Sequence, residues 1–189
     1  MKQLLTAFVL SFALSPLVNA ATVADVDIPD TLEASSGSEL MLNGAGVRSK
    51  WFIDVYVGGL YLSEASQDAA KIVSADQPMA IKLHMVSGLV TSEKMQTTTK
   101  EGFVNATGGN TAPIQAQIDQ FMSAFDEEIL ENDVFDLVYV PGKGVEVYKN
   151  EELIDTVSGG MDFKQALFGI WLSDKPAQES LKKAMLGES

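Results

Sequence analysis

Arg48 is the first residue to consider for chemistry, because it is the single arginine in a chain with 13 basic residues, the others being lysines. A guanidinium stays charged at physiological pH and offers a planar fork of donors that matches a carboxylate. Downstream, Tyr56 and Tyr61 supply phenol hydroxyls. The pattern indicates a site for an anion. The alternative is a surface arginine, or one that is hydrogen-bonded to a backbone carbonyl.

A glycine-rich segment, Asn-Gly-Ala-Gly-Val-Arg at residues 43–48, superficially resembles a phosphate-binding loop. It lacks the Gly-Lys-Ser/Thr ending of such loops and no helical pattern follows it, so a nucleotide site is not predicted. Glycines inside a strand more often mark a bulge, or a close approach by another backbone or a ligand. We expect one of these features at Gly44 and Gly46.

The sequence offers few other groups for catalysis. His84 is the only histidine, cysteine is absent, and no Gly-x-Ser-x-Gly motif occurs. The lack of cysteine excludes disulfides, thiolate metal sites and a thiol nucleophile. The acidic run at residues 126–128 is interpreted as a solvated helix face, since adjacent helical positions diverge. No metal site and no cofactor are expected. If the protein is an enzyme, His84 or Tyr61 is the candidate for proton transfer.

The first twenty residues predict export. Lys2 is followed by a mostly apolar run from Leu4 to Leu14, then a Ser-Pro break and small residues up to Ala20. This is the pattern of a signal peptide cleaved after Ala20, and the run is too short to span a bilayer. An N-terminal membrane anchor is the alternative. We therefore expect a signal peptide at 1–20 and one domain at 21–189, without stable membrane insertion after cleavage.

The charge of the chain narrows the range of partners. It has 13 basic and 26 acidic residues and a formal net charge of −13. Cleavage of the signal peptide would remove Lys2 and make the net charge more negative. A negative net charge argues against nucleic acid and anionic membrane surfaces as partners. The remaining chain is long enough to bury a hydrophobic core without disulfides.

The elements that must position Arg48 and the tyrosines follow from apolar periodicity. A short strand is expected around Val23–Ile28, and a long β region over Glu39–Leu62 surrounds Arg48 and Tyr56. Period-two alternation and turn signals predict further strands at residues 81–86, 134–140, 145–148 and 153–157.

Helical spacing predicts the covering layer. A short helix is expected at Ser66–Ala75 and a longer one from Ser92 to Ala106. A third helix begins at Thr111 and Pro113 and carries an apolar stripe as far as Ile129. Two more helices close the chain. The order of elements predicts an α+β domain in which helices pack on one face of an antiparallel sheet.

Several segments resemble the chalcone isomerase-like family, and in particular its bacterial exported branch. They are Asn-Gly-Ala-Gly-Val-Arg at 43–48, Val-Tyr-Val-Gly-Gly-Leu-Tyr-Leu at 55–62, Leu-His-Met at 83–85, Ser-Glu-Lys at 92–94, and the tail at 170–176 that leads into Glu-Ser-Leu at 179–181. The resemblance covers about residues 38–186. It implies an open-faced β-sandwich with a ligand cleft between sheet and helices, and a periplasmic location.

The resemblance also implies roles for individual residues. Arg48 matches the arginine that holds the anionic oxygen of the substrate in plant chalcone isomerases. Tyr56 falls where those enzymes have threonine and where the related fatty-acid-binding members have a tyrosine that helps to hold a carboxylate. Thr91 and Thr98 occupy the positions of the tyrosine and asparagine of true isomerases. The isomerase pattern is thus kept at Arg48 and lost at the other three positions.

These matches favour a non-catalytic binding protein for a small amphipathic anion of the fatty-acid type. Arg48 and Tyr56 would hold the anion, with Thr91 and Thr98 as further ligand-binding candidates, and the tail would lie among Phe103, Phe121 and Phe125. An isomerase or intramolecular lyase that uses His84 or Tyr61 is the first alternative. The second is an interaction domain without a ligand, in which side chains fill the cleft.

Overall fold

The fold is described by a computed structural model over residues 20–188. The predicted signal peptide lies outside the described residues except for Ala20, at which the first strand begins. Within them the strands are β1 Ala20–Val23, β2 Val26–Pro29, β3 Thr31–Glu33, β4 Glu39–Lys50, β5 Ile53–Leu62, β6 Met79–Met85, β7 Val134–Val140, β8 Gly144–Lys149 and β9 Glu152–Val157. Seven of them form one open antiparallel sheet in the order β3-β4-β5-β6-β7-β8-β9, and β1 and β2 form a separate hairpin.

Five α-helices and two short 3₁₀ turns accompany the sheet. The helices are α1 Ala69–Ser74, α2 Ser92–Ala106, α3 Gln115–Met122, α4 Gly160–Leu172 and α5 Glu179–Met185. The 3₁₀ turns, Ala112–Ile114 and Ser123–Phe125, flank α3. The predicted α+β class, with helices packed on one face of an antiparallel sheet, is confirmed.

The two faces of the sheet belong to different hydrophobic clusters. The helix face carries Leu60, Leu83 and Leu137, which pack with buried residues of the helices. The outer face carries Val57 and Tyr61, which join a second cluster with the β1–β2 hairpin. Since successive strand residues point to opposite faces, the parity of a position decides which cluster its side chain enters.

Helix α5 lies directly on β4, and the two glycines of the 43–48 segment make this approach possible. A Cβ atom at Gly44 would stand 2.1 Å from the Ala184 carbonyl oxygen, and one at Gly46 would stand 2.6 Å from the Ala184 Cβ. The register of β4 on β5 also shifts between Leu42 and Gly44. The segment therefore combines a bulge with a close approach by another backbone, as its glycines predicted.

A buried lysine closes the end of α1. The Lys164 ammonium, on α4, donates to the carbonyls of Ile72, Val73 and Ala75 at 2.9, 2.7 and 2.9 Å. These carbonyls belong to the last turn of α1, where the helix itself offers no donors. Burial lowers the pKa of this ammonium to about 8. Its three hydrogen bonds join α1 to α4.

The structure corrects three predicted elements. The strand expected at Val23–Ile28 is a hairpin, because Ala24 and Asp25 adopt positive φ and turn the chain. The helix expected to reach Ile129 ends at Met122 and passes into a 3₁₀ turn. Ile129 is still buried, so the apolar pattern correctly predicted core packing there although the helix has already ended. The first helix begins at Ala69 rather than Ser66, since Asp68 caps it.

Candidate anion-binding site

Arg48 and Tyr56 lie opposite each other on neighbouring antiparallel strands. Residues paired in this way share one face, with Cβ atoms about 5 Å apart. Tyr56 belongs to the helix-face cluster, and Gly44 and Gly46, four and two residues before Arg48, contact α5 on that same face. The sheet thus brings the two predicted anion-binding residues together beneath the terminal helix.

Gln178, at the start of α5, holds the Arg48 side chain by a hydrogen bond. Its amide oxygen accepts hydrogen bonds from Arg48 Nη1 at 3.0 Å and from the Ser49 backbone N–H at 2.9 Å. Its amide nitrogen donates to the Val47 carbonyl at 3.1 Å. Gln178 occupies the N-cap position of α5 but makes no side-chain cap, so its amide serves the strand instead. The start of α5 therefore sets the position of the guanidinium.

Trp171 fixes Tyr56. The indole Nε1–H of Trp171, on α4, donates to the Tyr56 hydroxyl oxygen at 2.9 Å, and both side chains are buried. Burial raises the pKa of the Tyr56 phenol, although the Trp171 hydrogen bond and the Arg48 charge act in the opposite direction. The phenol is therefore neutral at physiological pH and has a proton to donate.

The pair retains unused donors. In residues 20–188 the Tyr56 hydroxyl hydrogen has no acceptor, and the Nε and Nη2 groups of Arg48 make no hydrogen bond. The only acceptors of Arg48 there are the Ser49 carbonyl, at 2.6 Å, and Gln178. A buried hydroxyl donor beside a guanidinium suits an anion with two acceptor oxygens, such as a carboxylate.

Thr91 and Thr98 are occupied by their own helix. The Thr91 hydroxyl caps α2 by accepting from the Lys94 N–H at 3.3 Å. The Thr98 hydroxyl donates to the Lys94 and Met95 carbonyls, at 2.9 and 3.1 Å. Among the described residues neither threonine is hydrogen-bonded to Arg48 or Tyr56. Their contact with a ligand remains a prediction.

His84 and Tyr61 lie on the outer face of the sheet, away from Arg48 and Tyr56. His84 is paired with Val57, and both Val57 and Tyr61 belong to the outer-face cluster. The Tyr61 hydroxyl donates to the Pro29 carbonyl at 2.8 Å, and burial raises the pKa of this phenol. Neither residue can exchange a proton with a molecule held on the helix face without a rearrangement of the sheet.

The aromatic residues expected to receive a ligand tail pack against one another. Phe103, Phe121 and Phe125 are all nearly inaccessible to solvent. The ring centroids of Phe103 and Phe121 are 6.0 Å apart, and those of Phe121 and Phe125 are 5.5 Å apart. Phe163 stacks on Phe103 with a centroid distance of 5.8 Å. In this conformation the rings fill the space that a tail would need.

Two recesses in the described surface lie away from Arg48 and Tyr56. One is a shallow area, largely open to solvent, along the outer side of α2 beside Lys100, Glu101 and Val104. The other, of about 70 Å³, lies between the end of β5 and α1.

Two negative findings apply to residues 20–188. No group of three or more His, Cys, Asp or Glu side chains there is placed to hold a metal ion. No helix in this part of the chain has the length and apolar character needed to cross a bilayer.

Gln178 and Trp171 are site residues that sequence reasoning did not assign. Trp171 carried a signal, because it is one of only two tryptophans and lies in the tail segment that matched the family. Its place in an apolar helical pattern predicts core packing but not a hydrogen bond to Tyr56. Gln178 carried none, since a single glutamine between two helices has no pattern.

The fold and site together define a class: an α+β protein with an open antiparallel sheet, helices on one face, and an arginine–tyrosine pair beneath them. The chain belongs to the chalcone isomerase-like family, whose model matches residues 20–187. The resemblance stated from the sequence is thereby confirmed.

Comparison with solved structures gives the same fold. A fatty-acid-binding protein of Arabidopsis thaliana superimposes with a TM-score of 0.69, and the match covers 89% of this chain and 96% of that one. The two sequences are 18% identical, so this similarity establishes the fold alone. No curated protein matches the chain in sequence.

Proposed function

We propose that this is a non-catalytic binding protein for a small amphipathic anion of the fatty-acid type. The observation that carries the proposal is the buried Tyr56 hydroxyl, which accepts from Trp171 and still has a proton to donate beside Arg48. One carboxylate oxygen would accept from Tyr56 and the other from the free guanidinium nitrogens. The fatty-acid-binding protein that shares the fold is in line with this ligand class.

The contacts of Arg48 and Tyr56 support binding rather than turnover. Arg48 and a neutral Tyr56 both donate hydrogen bonds, so together they stabilise an anion. Proton transfer also needs a group that can accept a proton near the ligand. His84 and Tyr61, the two candidates for that role, lie on the other face of the sheet.

An acyl tail must enter an interior that Phe103, Phe121 and Phe125 now fill. A long-chain ligand therefore requires these rings to move apart, whereas a short carboxylate needs only the Arg48–Tyr56 pair. Affinity should first rise with chain length as apolar surface is buried. It should then level off where further methylenes demand further opening of the core.

The test is calorimetric titration of the mature domain with straight-chain carboxylates of increasing length. Arg48→Ala should weaken binding roughly 10- to 100-fold, because a charge-assisted hydrogen bond is lost. Lys50→Ala, which removes an exposed cation two residues away on the same strand, is the matched control. Equal affinities of the wild type and Arg48→Ala for every carboxylate would refute the proposal, provided that both proteins are folded.

A second candidate function is an interaction domain without a ligand, and the packed phenylalanine cluster favours it specifically. The same titration decides between the two. If the wild-type domain binds no carboxylate of any length, the filled interior is its working state and the anion proposal fails.

We further propose that the protein is exported to the periplasm and cleaved after Ala20. The supporting pattern is the charged start, the Leu4–Leu14 apolar run and the small residues up to Ala20. Mass spectrometry of the protein recovered from the periplasmic fraction should give a chain that begins at Ala21. Recovery of the intact chain from the cytoplasm would contradict this.

A further inference from the structure

Two large aromatic side chains are exposed at the tip of the β4–β5 hairpin. Trp51 is 88% exposed and Phe52 100% exposed, and Ile53 beside them is 44% exposed. Isolated exposed apolar residues are ordinary, but adjacent aromatics at one tip are an unusual use of the most hydrophobic side chains. We call residues 49–54 the finger.

The finger extends past the rest of the sheet. Strand β6 ends at Met85, which pairs with Tyr56, whereas β4 and β5 stay paired through Ser49–Asp54 and Lys50–Ile53. Three residues of extended strand span about 10 Å. The finger is thus a two-stranded projection whose tip can reach a surface that the body of the domain does not touch.

The backbone at the tip favours a different residue from the one present. Trp51 has φ +62°, in the left-handed region that side chains with a Cβ rarely adopt. Two-residue hairpin turns ordinarily place glycine or asparagine at such positions. A tryptophan there costs stability of the fold, and a strained position of this kind is a pointer to function.

The charge around the tip differs from that of the chain as a whole. The finger carries one cation, Lys50, next to Trp51, and one anion, Asp54, whose carboxylate accepts a hydrogen bond from the Ser49 hydroxyl at 2.7 Å. No other acidic residue occurs between Glu39 and Glu64. The Debye length at physiological ionic strength is about 8 Å, comparable to the length of the projection. The acidic body is therefore largely screened from a surface that the finger contacts, and Lys50 can meet an anionic one.

From these observations we propose that the finger docks on a lipid bilayer surface. Trp51 and Phe52 enter the interfacial region, where aromatic rings are favoured, and Lys50 stays at the headgroup level. This is peripheral binding by a hairpin tip rather than insertion of a helix. It does not depend on a ligand at Arg48, although it would place that site within one hairpin length of the lipid.

The test is sedimentation of the mature domain with vesicles of phosphatidylcholine containing phosphatidylglycerol at physiological salt. The double variant Trp51→Gly/Phe52→Ser should lose at least tenfold in vesicle affinity, because two aromatic side chains no longer leave water. Glycine suits the backbone at residue 51, so the variant should be at least as resistant to denaturant as the wild type. Met41→Ser/Val104→Ser removes side chains of 50% and 48% exposure away from the finger and should bind like the wild type.

Two further readouts sharpen the result. Trp51 emission should shift to the blue on vesicles, and a Trp171→Phe variant leaves Trp51 as the only tryptophan to report it. Lys50→Glu should weaken binding to the anionic vesicles more than to pure phosphatidylcholine.

The proposal is overturned if the wild type does not sediment with either vesicle, or if the finger variant sediments as well as the wild type. Self-association that the finger variant abolishes, without vesicle binding, would assign the tip to a second copy instead.

Discussion

At the scale of single residues, Tyr56 links the site to the core. It accepts a hydrogen bond from Trp171 and lies opposite Arg48, while its ring packs in the helix-face cluster. A phenylalanine would preserve the packing of the ring and remove both functions of the hydroxyl. The site and the stability of the domain are therefore coupled through one oxygen atom.

We expect Tyr56→Phe to lower the free energy of unfolding by about 1–2 kcal/mol, because it leaves the buried Trp171 N–H without an acceptor. Trp171→Phe should cost a comparable amount. The double variant should lose less than the sum, since the shared hydrogen bond can be removed only once. Urea unfolding of the four proteins measures this coupling. Strict additivity would show that the hydrogen bond contributes nothing to stability.

At the scale of elements, α5 and β4 position Arg48 together. Asn43 donates to the Met185 carbonyl at 2.8 Å at the end of the helix, and Gln178 holds Arg48 at its start. Gly44 and Gly46 lie between these contacts and allow the helix to approach. Residues 43–48 thus form the surface on which α5 packs, and this surface ends at Arg48.

Gly44→Ala should destabilise the domain by about 1–3 kcal/mol and weaken carboxylate binding as well. The added methyl group would meet the Ala184 carbonyl oxygen at 2.1 Å, and a backbone atom cannot rotate away. Gly88→Ala is the matched control, because nothing lies within 4 Å of the position of its Cβ. Thermal unfolding and calorimetric titration check both effects. Unchanged stability of Gly44→Ala would mean that α5 is not seated on β4 as described.

At the scale of the whole molecule, two buried carboxylates, Glu146 on the outer face and Asp133 before β7, couple stability to pH. Burial alone would raise the pKa of the Glu146 carboxyl, but hydrogen bonds from Lys143, Ser35 and Tyr148 outweigh it and hold this pKa below its usual value. Asp133 behaves in the same way through its hydrogen bonds from Asn150 and the Leu130 N–H. Both groups are buried and charged in the folded state at neutral pH.

We expect the free energy of unfolding to fall as the pH drops below about 4.5. Folding lowers the pKa of both carboxyls, so on acidification the unfolded chain takes up protons before the folded one. The stabilisation by these carboxylates is therefore complete above their unfolded pKa and is lost as the pH falls through the folded pKa. Glu146→Gln should flatten this dependence and lower stability at neutral pH. Urea unfolding between pH 7 and 3 provides the comparison. An equally steep acid loss in Glu146→Gln would assign the effect to other groups.

Much of this protein could be predicted from local pattern alone. Period-two alternation and turn signals located β7 at 134–140, and helical spacing located α2 from Ser92 to Ala106. These two predictions succeeded because, in a half-buried strand or helix, buried positions recur with the period of that element. Glycine spacing indicated where the chain would meet another backbone. The anion site at the lone arginine stays a prediction.

Tertiary structure decided what local pattern does not encode. The opposite faces of Tyr56 and Tyr61 follow from their odd spacing within one strand, but whether Arg48 shares the face of Tyr56, and His84 the face of Tyr61, depends on how β4 and β6 pair with β5. Trp171 and Gln178 reach the site from more than a hundred residues away. A sequence specifies which side chains will be buried through its periodicity, but the pairing of distant hydrogen-bonding groups is fixed only when sheet and helices pack together.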